Sequence, residues 1–234
     1  MKLRLLGVYG PYPVADGCCS SYLVEDGDTA ILLDFGSGAY SRLLRYLPLG
    51  KVDAVVLSHL HGDHTGDMTI LRYALEQGQG KTPLPLFAPE TAPFSSSVFE
   101  TTAVQDGFET AVGSLKLTFY RVEHAATCMA VKVTDGAGHT LFYTGDTAYF
   151  PQLASYALGC DLLLADACVA DEDDTKAQKN HMTARQVGVL ARACGCKCAI
   201  LTHLWGAGFD PAAMLQAANC DCAVLAEEGK QFEV

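Results

Sequence analysis

The stretch Ser58-His59-Leu60-His61-Gly62-Asp63-His64-Thr65 places three imidazoles and a carboxylate within six residues, directly behind the apolar run Val52 to Leu57. An apolar run of that length reads as a buried strand. Functional groups concentrated where a strand ends are displayed by a loop on a rigid support. In an extended segment, side chains two apart share a face, so His59 and His61 point the same way and can meet one metal ion. Asp63 and His64 follow at the turn into the next helix, where they face a second ion. The pattern asks for a fold that brings further ligands to the same strand end.

The rest of the chain supplies them in the same manner. The first half reads as short strands, Leu3 to Val8, Ser21 to Val24 and Ala30 to Leu33, separated by Gly, Pro and Asp turns. Gly38 to Leu47 has helical spacing, with Leu43, Leu44 and Leu47 expected on one face, and Met68 to Leu75 reads as a second helix. Leu86 to Ala88 is a short strand. Leu115 to Val122 is a strand ending two residues before His124, and Ala130 to Val133 and Thr140 to Tyr143 flank the hairpin composition Asp135-Gly-Ala-Gly138. Leu162 to Ala165 is an apolar strand, and the acidic Asp171 to Asp174 is a solvated loop. Thr183 caps a helix whose Val187, Leu190, Ala191 and Cys194 follow helical spacing. Ala199 to Thr202 is a strand that ends at His203, and Asp210-Pro211 opens the last helix. No repeat or linker interrupts the chain, so one α/β (α+β) domain over residues 1–234, two sheets flanked by helices, is expected.

Of the 7 histidines, six (His59, His61, His64, His124, His181, His203) lie just after apolar strands or at a helix start. Asp146, in Phe142-Tyr-Thr-Gly-Asp-Thr147, is placed likewise. His139 sits in a Gly-rich turn and has no expected role. Zinc takes neutral imidazole nitrogen and carboxylate oxygen, and a catalytic site keeps a position for water. Two ions about 3.5 to 4 Å apart would share a bridging hydroxide and a bridging carboxylate. His and Asp ligands also suit Mn2+ and Fe2+.

Charge narrows the partners. A net charge of −11 with pI near 4.9 and no run of Lys and Arg argues against a polynucleotide surface. Two bound divalent cations would soften the total to about −7 while focusing positive potential at one point, which suits a small anionic substrate. The opening Met1 to Val8 is too short an apolar run for a signal peptide or a membrane span, so a cytoplasmic location without membrane attachment is the expectation. Under that expectation the 10 cysteines are reduced thiols. Cys194-Gly-Cys196-Lys-Cys198 and Cys220-Asp-Cys222 are spaced CxC rather than CxxC, and read as small buried hydrophobes before a structural metal site.

Ser58-His-Leu-His-Gly-Asp-His64, followed by Val122-Glu-His124, Tyr143-Thr-Gly-Asp146 and Leu201-Thr-His203, resembles the metallo-β-lactamase superfamily over nearly the whole chain. The resemblance implies a four-layer αββα sandwich with a dinuclear site along its edge. It implies His59, His61 and His124 on one metal, Asp63, His64 and His203 on the other, and Asp146 between them. The Gly-Asp bridging motif departs from true class B β-lactamases. Gly62 stands where flavodiiron proteins, which also carry a flavodoxin domain, have Glu, so a redox role is not expected. Asn180-His-Met-Thr-Ala-Arg-Gln186 is similar to the His-Ser-Thr loop of ribonuclease Z and its phosphodiesterase relatives. There the loop His donates a proton to the leaving oxygen and a Glu orients it. Here Asp166, in Leu164-Ala-Asp-Ala-Cys168, stands in place of that Glu. Ribonuclease Z also carries a long tRNA-binding arm between its third and fourth metal motifs, whereas only 21 residues separate His124 from Asp146.

The expectation is a ribonuclease Z-like metal-dependent hydrolase without that arm, acting on small phosphodiesters through a metal-bridging hydroxide, with tRNA disfavoured. Asp63 would orient or deprotonate the water, and His181 with Asp166 would protonate the leaving group. On the same site a carboxylic ester, lactone or thioester hydrolase is the alternative, and a non-catalytic metal-binding protein is the alternative from another class. His181 read alone is a helix-cap neighbour, and Asp166 a buried carboxylate satisfied by backbone amides. Asp34, at the end of its strand, reads as structural. The loop Gly7 to Pro13 and the pair Cys18-Cys19 should border the cleft, with Tyr9, Tyr12 and Trp205 shaping it. A homodimer is left open.

Overall fold

The computed structural model describes residues 1–90, 96–171, 180–206 and 209–234. Two seven-stranded mixed sheets carry the chain. The first is built from β1 (Lys2–Gly7), β2 (Ser21–Asp26), β3 (Thr29–Phe35), β4 (Ala54–Val56), β5 (Leu84–Ala88) and β6 (Phe99–Ala103), with the last strand, β14 (Gln231–Glu233), pairing back on β1. The second runs from β7 (Glu109–Val112) through β8 (Leu115–Val122), β9 (Cys128–Thr134), β10 (Thr140–Tyr143), β11 (Leu162–Asp166) and β12 (Cys198–Thr202) to β13 (Ala223–Leu225). Both sheets follow one plan. An antiparallel meander (β1–β3; β7–β10) gives way to parallel strands (β3–β6; β10–β13).

The parallel parts need crossovers, and helices provide several of them. Among the described residues they are α1 (Ala39–Leu43), α2 (Gly62–Thr65), α3 (Met68–Glu76), α4 (Leu153–Tyr156), α5 (Ala184–Cys194) and α6 (Pro211–Ala218). Strand alternation sorts side chains into two cores. Tyr22, Val24, Ile31, Leu33 and Val56 join Leu115, Leu117, Phe119, Val131 and Val133 in the core that includes the space between the sheets. Their neighbours Leu23, Leu32 and Val55 point the other way, onto Leu43, Leu71 and Leu75 of α1 and α3. β3 is therefore buried along its whole length, as a strand covered on both faces must be. The result is the expected sandwich of helix, sheet, sheet and helix.

Helix ends follow local chemistry. Thr183 caps α5 in a reciprocal capping box with Gln186, and Asp210 caps α6 with Pro211 at the first helical position. The helix expected over Gly38 to Leu47 stops at Leu43, and Leu44 is 48% exposed rather than on the buried face. Pro48 lacks an N–H and disfavours helical backbone at the residue before it, so the last turn is irregular. The ladder of β4 is shorter than the apolar run, although Val52 and Leu57 are buried all the same. Strands β6, β7, β13 and β14 carry no apolar signature because they lie at or near sheet edges and are half solvated. Of the acidic run 171–174, residues 172–174 lie outside the described residues, and Asp171 pairs with Arg185. All ten cysteines are free thiols, and seven of them are buried, in line with the hydrophobe reading. No helix is long and apolar enough to cross a membrane among the described residues.

Candidate metal centre

The strand ends of both sheets meet along one edge. Behind β4 the chain stays extended through His61, whose φ of −66° and ψ of 152° precede the short helix α2. That switch from extended to helical backbone separates the four clustered ligands into two pairs, as period-two and helical geometry require. Asp146 follows β10, His124 follows β8 and His203 follows β12. His203 has φ 57° and Asp34 has φ 55°, a left-handed conformation that costs a non-glycine residue about 1 kcal/mol and persists only where the surroundings over-determine it.

The seven residues expected as ligands converge in two groups that share Asp146. One holds His59, His61, His124 and Asp146; the other holds Asp63, His64, Asp146 and His203, and in each the donor atoms lie within 4.8 Å of one another. His61 Nδ1 faces His124 Nε2 at 3.2 Å. His59 Nε2 stands 3.6 Å from Asp146 Oδ2, and His64 Nε2 stands 3.3 Å from Asp146 Oδ1. His203 Nε2 lies 3.1 Å from Asp63 Oδ2 and 3.2 Å from Asp146 Oδ2. The other nitrogens are already engaged: His59 Nδ1 with Ser58 Oγ at 3.0 Å, His64 Nδ1 with Asp34 at 2.7 Å, and His124 Nδ1 with the Asn180 carbonyl at 2.9 Å. Nε2 of His59 and His64 are buried without a hydrogen-bond partner. Buried polar atoms are ordinarily paired, and lone pairs gathered around a shared carboxylate match the donor chemistry of a divalent cation. The residues fit two such ions.

Electrostatics divide the groups further. Burial, reinforced by the charge of His64, lowers His59 to about 2, and burial also lowers His124. Both are neutral and ready to bind. Burial opposes charge on His64 and His203 as well, but Asp146 and Asp34 hold His64 well above its usual value, and Asp146 with Asp63 and Asp166 holds His203 at about 10. Burial would raise Asp146 and Asp63; His203 and His64 outweigh it and keep both carboxyls well below the usual range.

A second layer steadies the candidate ligands. Asp34 accepts from Ser58 N at 2.6 Å, Ser58 Oγ at 2.7 Å and the Tyr143 hydroxyl at 2.6 Å besides His64, so a residue that reads as structural in the sequence holds the His64 ring in place. Tyr143 and Ser58 have no signal of their own in the sequence, since each becomes relevant only where β3, β4 and β10 come together. Gly10 belongs to the loop expected at the cleft. A Cβ there would stand 2.0 Å from His203 Nε2, so only glycine lets the backbone pass. Tyr9 bridges to Cys19 and Leu204, and Trp205 packs on Cys168 and Val169. His139, by contrast, is half exposed in its turn and pairs with Asp135.

Beside the two groups stand His181 and Asp166. His181 Nδ1 donates to Asp166 Oδ2 at 2.9 Å, and its ring stacks on His203 with centroids 5.0 Å apart. The Thr147 N–H donates to the same carboxylate at 3.2 Å. Burial works against charge on His181, but Asp166 raises its pKa above the usual value. A cavity of about 700 Å³ opens next to His124, lined among others by Arg121, Glu123, Phe150, Tyr156 and Asn180.

Known proteins share the family and the fold. Residues 29–204 match the family described as the beta-lactamase superfamily domain. The probable metallo-hydrolase YhfI of Bacillus subtilis is 35% identical over 215 residues, 87% of each chain. Its crystal structure superposes with a TM-score of 0.89 over 99% of both chains at 30% identity. A ribonuclease Z of Methanopyrus kandleri is 24% identical over 278 residues, covering 100% of this chain and 98% of its own. A diphosphatase of the PhnP family shares the fold, with TM-score 0.79 and 18% identity over 100% of this chain and 97% of its own. By the extent of the family match and its likeness to YhfI, the chain belongs to the metallo-β-lactamase superfamily of hydrolases.

Proposed function

We propose that residues 1–234 act as one hydrolase unit that cleaves small phosphodiesters at a dinuclear, zinc-using centre. The observation that carries this reading is the His181 to Asp166 pair, 2.9 Å long and set against His203, which a protein that merely stored metal would not need. His59, His61 and His124 would hold one ion, Asp63, His64 and His203 the other, with Asp146 shared. Ions held there supply positive charge for a developing oxyanion and make a water acidic enough to attack near neutral pH.

The chain's own groups do the rest. Asp63 orients the attacking water and takes its proton. His181, its Nδ1–H engaged with Asp166, carries a second proton on Nε2 for the leaving oxygen, and Asp166 raises its basicity so that this proton is held more firmly than on a free imidazole. Arg121 on the rim of the adjoining cavity offers a cation to the substrate phosphate. That cavity has the size of a small-ligand pocket, roughly 300 to 1,000 Å³. The segment between His124 and Asp146 is spent on the hairpin of β9 and β10, which leaves no length for an arm that could grip tRNA. Relatives named for RNA cleavage and a fold likeness named for diphosphate cleavage point to phosphorus-oxygen bonds.

The electrostatics give a first test. Ligation needs neutral imidazoles. His64 and His203 have raised values and carry protons at pH 7, whereas His59 is already neutral. Filling the metal-free protein at pH 7 should therefore release about two protons per chain from these imidazoles, besides the proton of the activated water, with the imidazole part falling as the pH rises through the value near 10 of His203. Zinc titration calorimetry in buffers of different ionisation enthalpy reads that number directly, and zero release would remove His64 and His203 from the ligand set.

The substrate class is tested by adding zinc or manganese to metal-free protein and offering bis-p-nitrophenyl phosphate, an aryl ester, a lactone and a precursor tRNA. The diester should be turned over at least about 100-fold faster than the ester or lactone, a difference of about 2.7 kcal/mol in barrier. Faster hydrolysis of the ester or lactone would overturn the phosphodiester reading, and tRNA processing would replace the small substrate.

A further inference from the structure

The outer ring nitrogens of His59, His64 and His124 each face an acceptor of the protein: Ser58 Oγ at 3.0 Å, Asp34 Oδ2 at 2.7 Å and the Asn180 carbonyl at 2.9 Å. His203 differs. Its Nε2 points at Asp63 and Asp146, while its Nδ1 is buried without a hydrogen-bond partner. The atom opposite is Asp166 Oδ1, 3.6 Å away and likewise buried without a partner. The two side chains are only 3% and 1% exposed, so bulk water does not serve either atom. Leaving a buried polar group unsatisfied costs about 1 to 3 kcal/mol. A potential donor and an acceptor therefore stand face to face at a distance too long for a hydrogen bond and too short for a water molecule to stand between them in line.

The sheet holds the pair together. β11 and β12 run parallel with Asp166 level with Thr202, so the carboxylate and the His203 ring leave neighbouring strand ends side by side. Backbone contacts fix both: the Asp166 N–H donates to Thr144 Oγ at 3.0 Å, the Ala167 N–H to the Thr202 carbonyl at 2.9 Å, and the Leu204 N–H to the Val8 carbonyl at 2.8 Å. The His203 ring is stacked between those of His64 and His181, with centroids 5.4 and 5.0 Å away and interplanar angles of 19° and 17°. A ring held between two others slides most easily in its own plane. Closing the gap from 3.6 Å to an ordinary length of about 2.9 Å needs a relative shift of about 0.7 Å. The other carboxylate oxygen is already engaged, since Asp166 Oδ2 accepts from His181 Nδ1 at 2.9 Å and from the Thr147 N–H at 3.2 Å.

We propose that Asp166 is a positioning residue for the metal centre as well as for His181: its Oδ1 accepts the His203 Nδ1–H when Nε2 takes its ion, while its Oδ2 keeps hold of His181. The proposal rests on His203 being a ligand. An imidazole that binds a cation through one nitrogen is held in its tautomer and orientation by what the other nitrogen meets, and loss of that partner costs about 10- to 100-fold in metal affinity. One carboxylate then sets both the affinity of the second metal position and the aim of the proton donor. Through it, His181 is lined up against the same atom group that seats His203.

The imidazole N–H protons of zinc-loaded protein carrying 15N-labelled histidine test this without reference to activity. Wild type should show slowly exchanging Nδ1 protons for both His203 and His181, shifted downfield by their carboxylate acceptor. Asp166→Asn has nearly the same shape and one carbonyl oxygen, which should stay with the two donors His181 Nδ1–H and Thr147 N–H and turn the amide toward His203. It should lose the His203 signal and weaken uptake of the second zinc equivalent by about 10- to 100-fold while leaving the first unchanged. Excess zinc should refill that position, which damage to the fold would not allow. His181→Ala should lose its own proton signal alone and bind both ions as wild type does. Wild type with two zinc ions and no protected His203 Nδ1 proton would overturn the proposal, whether or not the variant folds. So would an Asp166→Asn protein of unchanged affinity when His203→Ala loses the second ion. A His203→Ala protein that holds two ions as tightly as wild type would remove the ligand assignment, and the proposal with it.

Discussion

Replacing Asp146 with Ala should cost metal affinity by more than about 100-fold and abolish measurable hydrolysis. Changes one layer further out already cost about 10- to 100-fold, and Asp146 is the residue common to both ligand groups. It also stands within 3.6 Å of imidazole nitrogens on His59, His64 and His203. In metal-free protein its loss strands two buried imidazolium groups, His64 and His203, whose raised values depend on it. Removing one partner of a buried ion pair costs about 3 to 5 kcal/mol. That contribution is lost from Asp146 as pH falls through its depressed value, and from the two histidines as pH rises through their raised ones. The variant's thermal unfolding deficit without metal should therefore be largest between those limits, around neutral pH. Elemental analysis and calorimetry check both parts, with Asp146→Asn separating charge from shape. An Asp146→Asn protein that retained two ions and normal turnover would show that the carboxylate is not shared between them.

The second large effect belongs to His181. His181→Ala should lower turnover by about 10² to 10⁴, the usual worth of a positioned acid, while metal content stays at the wild-type level. Loss of metal in this variant would make His181 a ligand instead, a real alternative because Asp146, Asp166, His181 and His203 also lie close enough to hold an ion. Asp166→Asn should act through His181. An acid must be protonated to work, so activity falls as pH rises through the His181 value. Asp166 raises that value, so its neutral replacement should move the alkaline limb of the rate profile to lower pH. A merely structural Asp166 would change the amount of active protein and leave the limb in place.

Much of this was legible before any coordinates. Strands such as β8 and β10 stood out because a half-buried or buried strand advertises itself through its apolar residues. The ends of α5 and α6 were readable because Thr183, Asp210 and Pro211 act on their nearest backbone neighbours. Edge strands were silent, since β7 alternates exposed and half-buried residues and has no apolar face to show. Leu44 misled for a related reason: helical spacing predicts a face only as far as the helix continues, and α1 ends one residue earlier.

At the site the same division holds. The chain's order alone determined which residue types stand at which strand ends, and with them His59, His61, Asp63, His64, His124, Asp146, His181 and His203 as candidates, because the strand period and the strand-to-helix turn are local geometry. Two things were decided only by the tertiary structure. The Asp34 carboxylate comes to bind His64, Ser58 and Tyr143, residues up to 109 positions away. Gly10 is needed because His203 arrives beside it from the other sheet. Contacts of this kind depend on how two sheets face each other, which no window of neighbouring residues can contain.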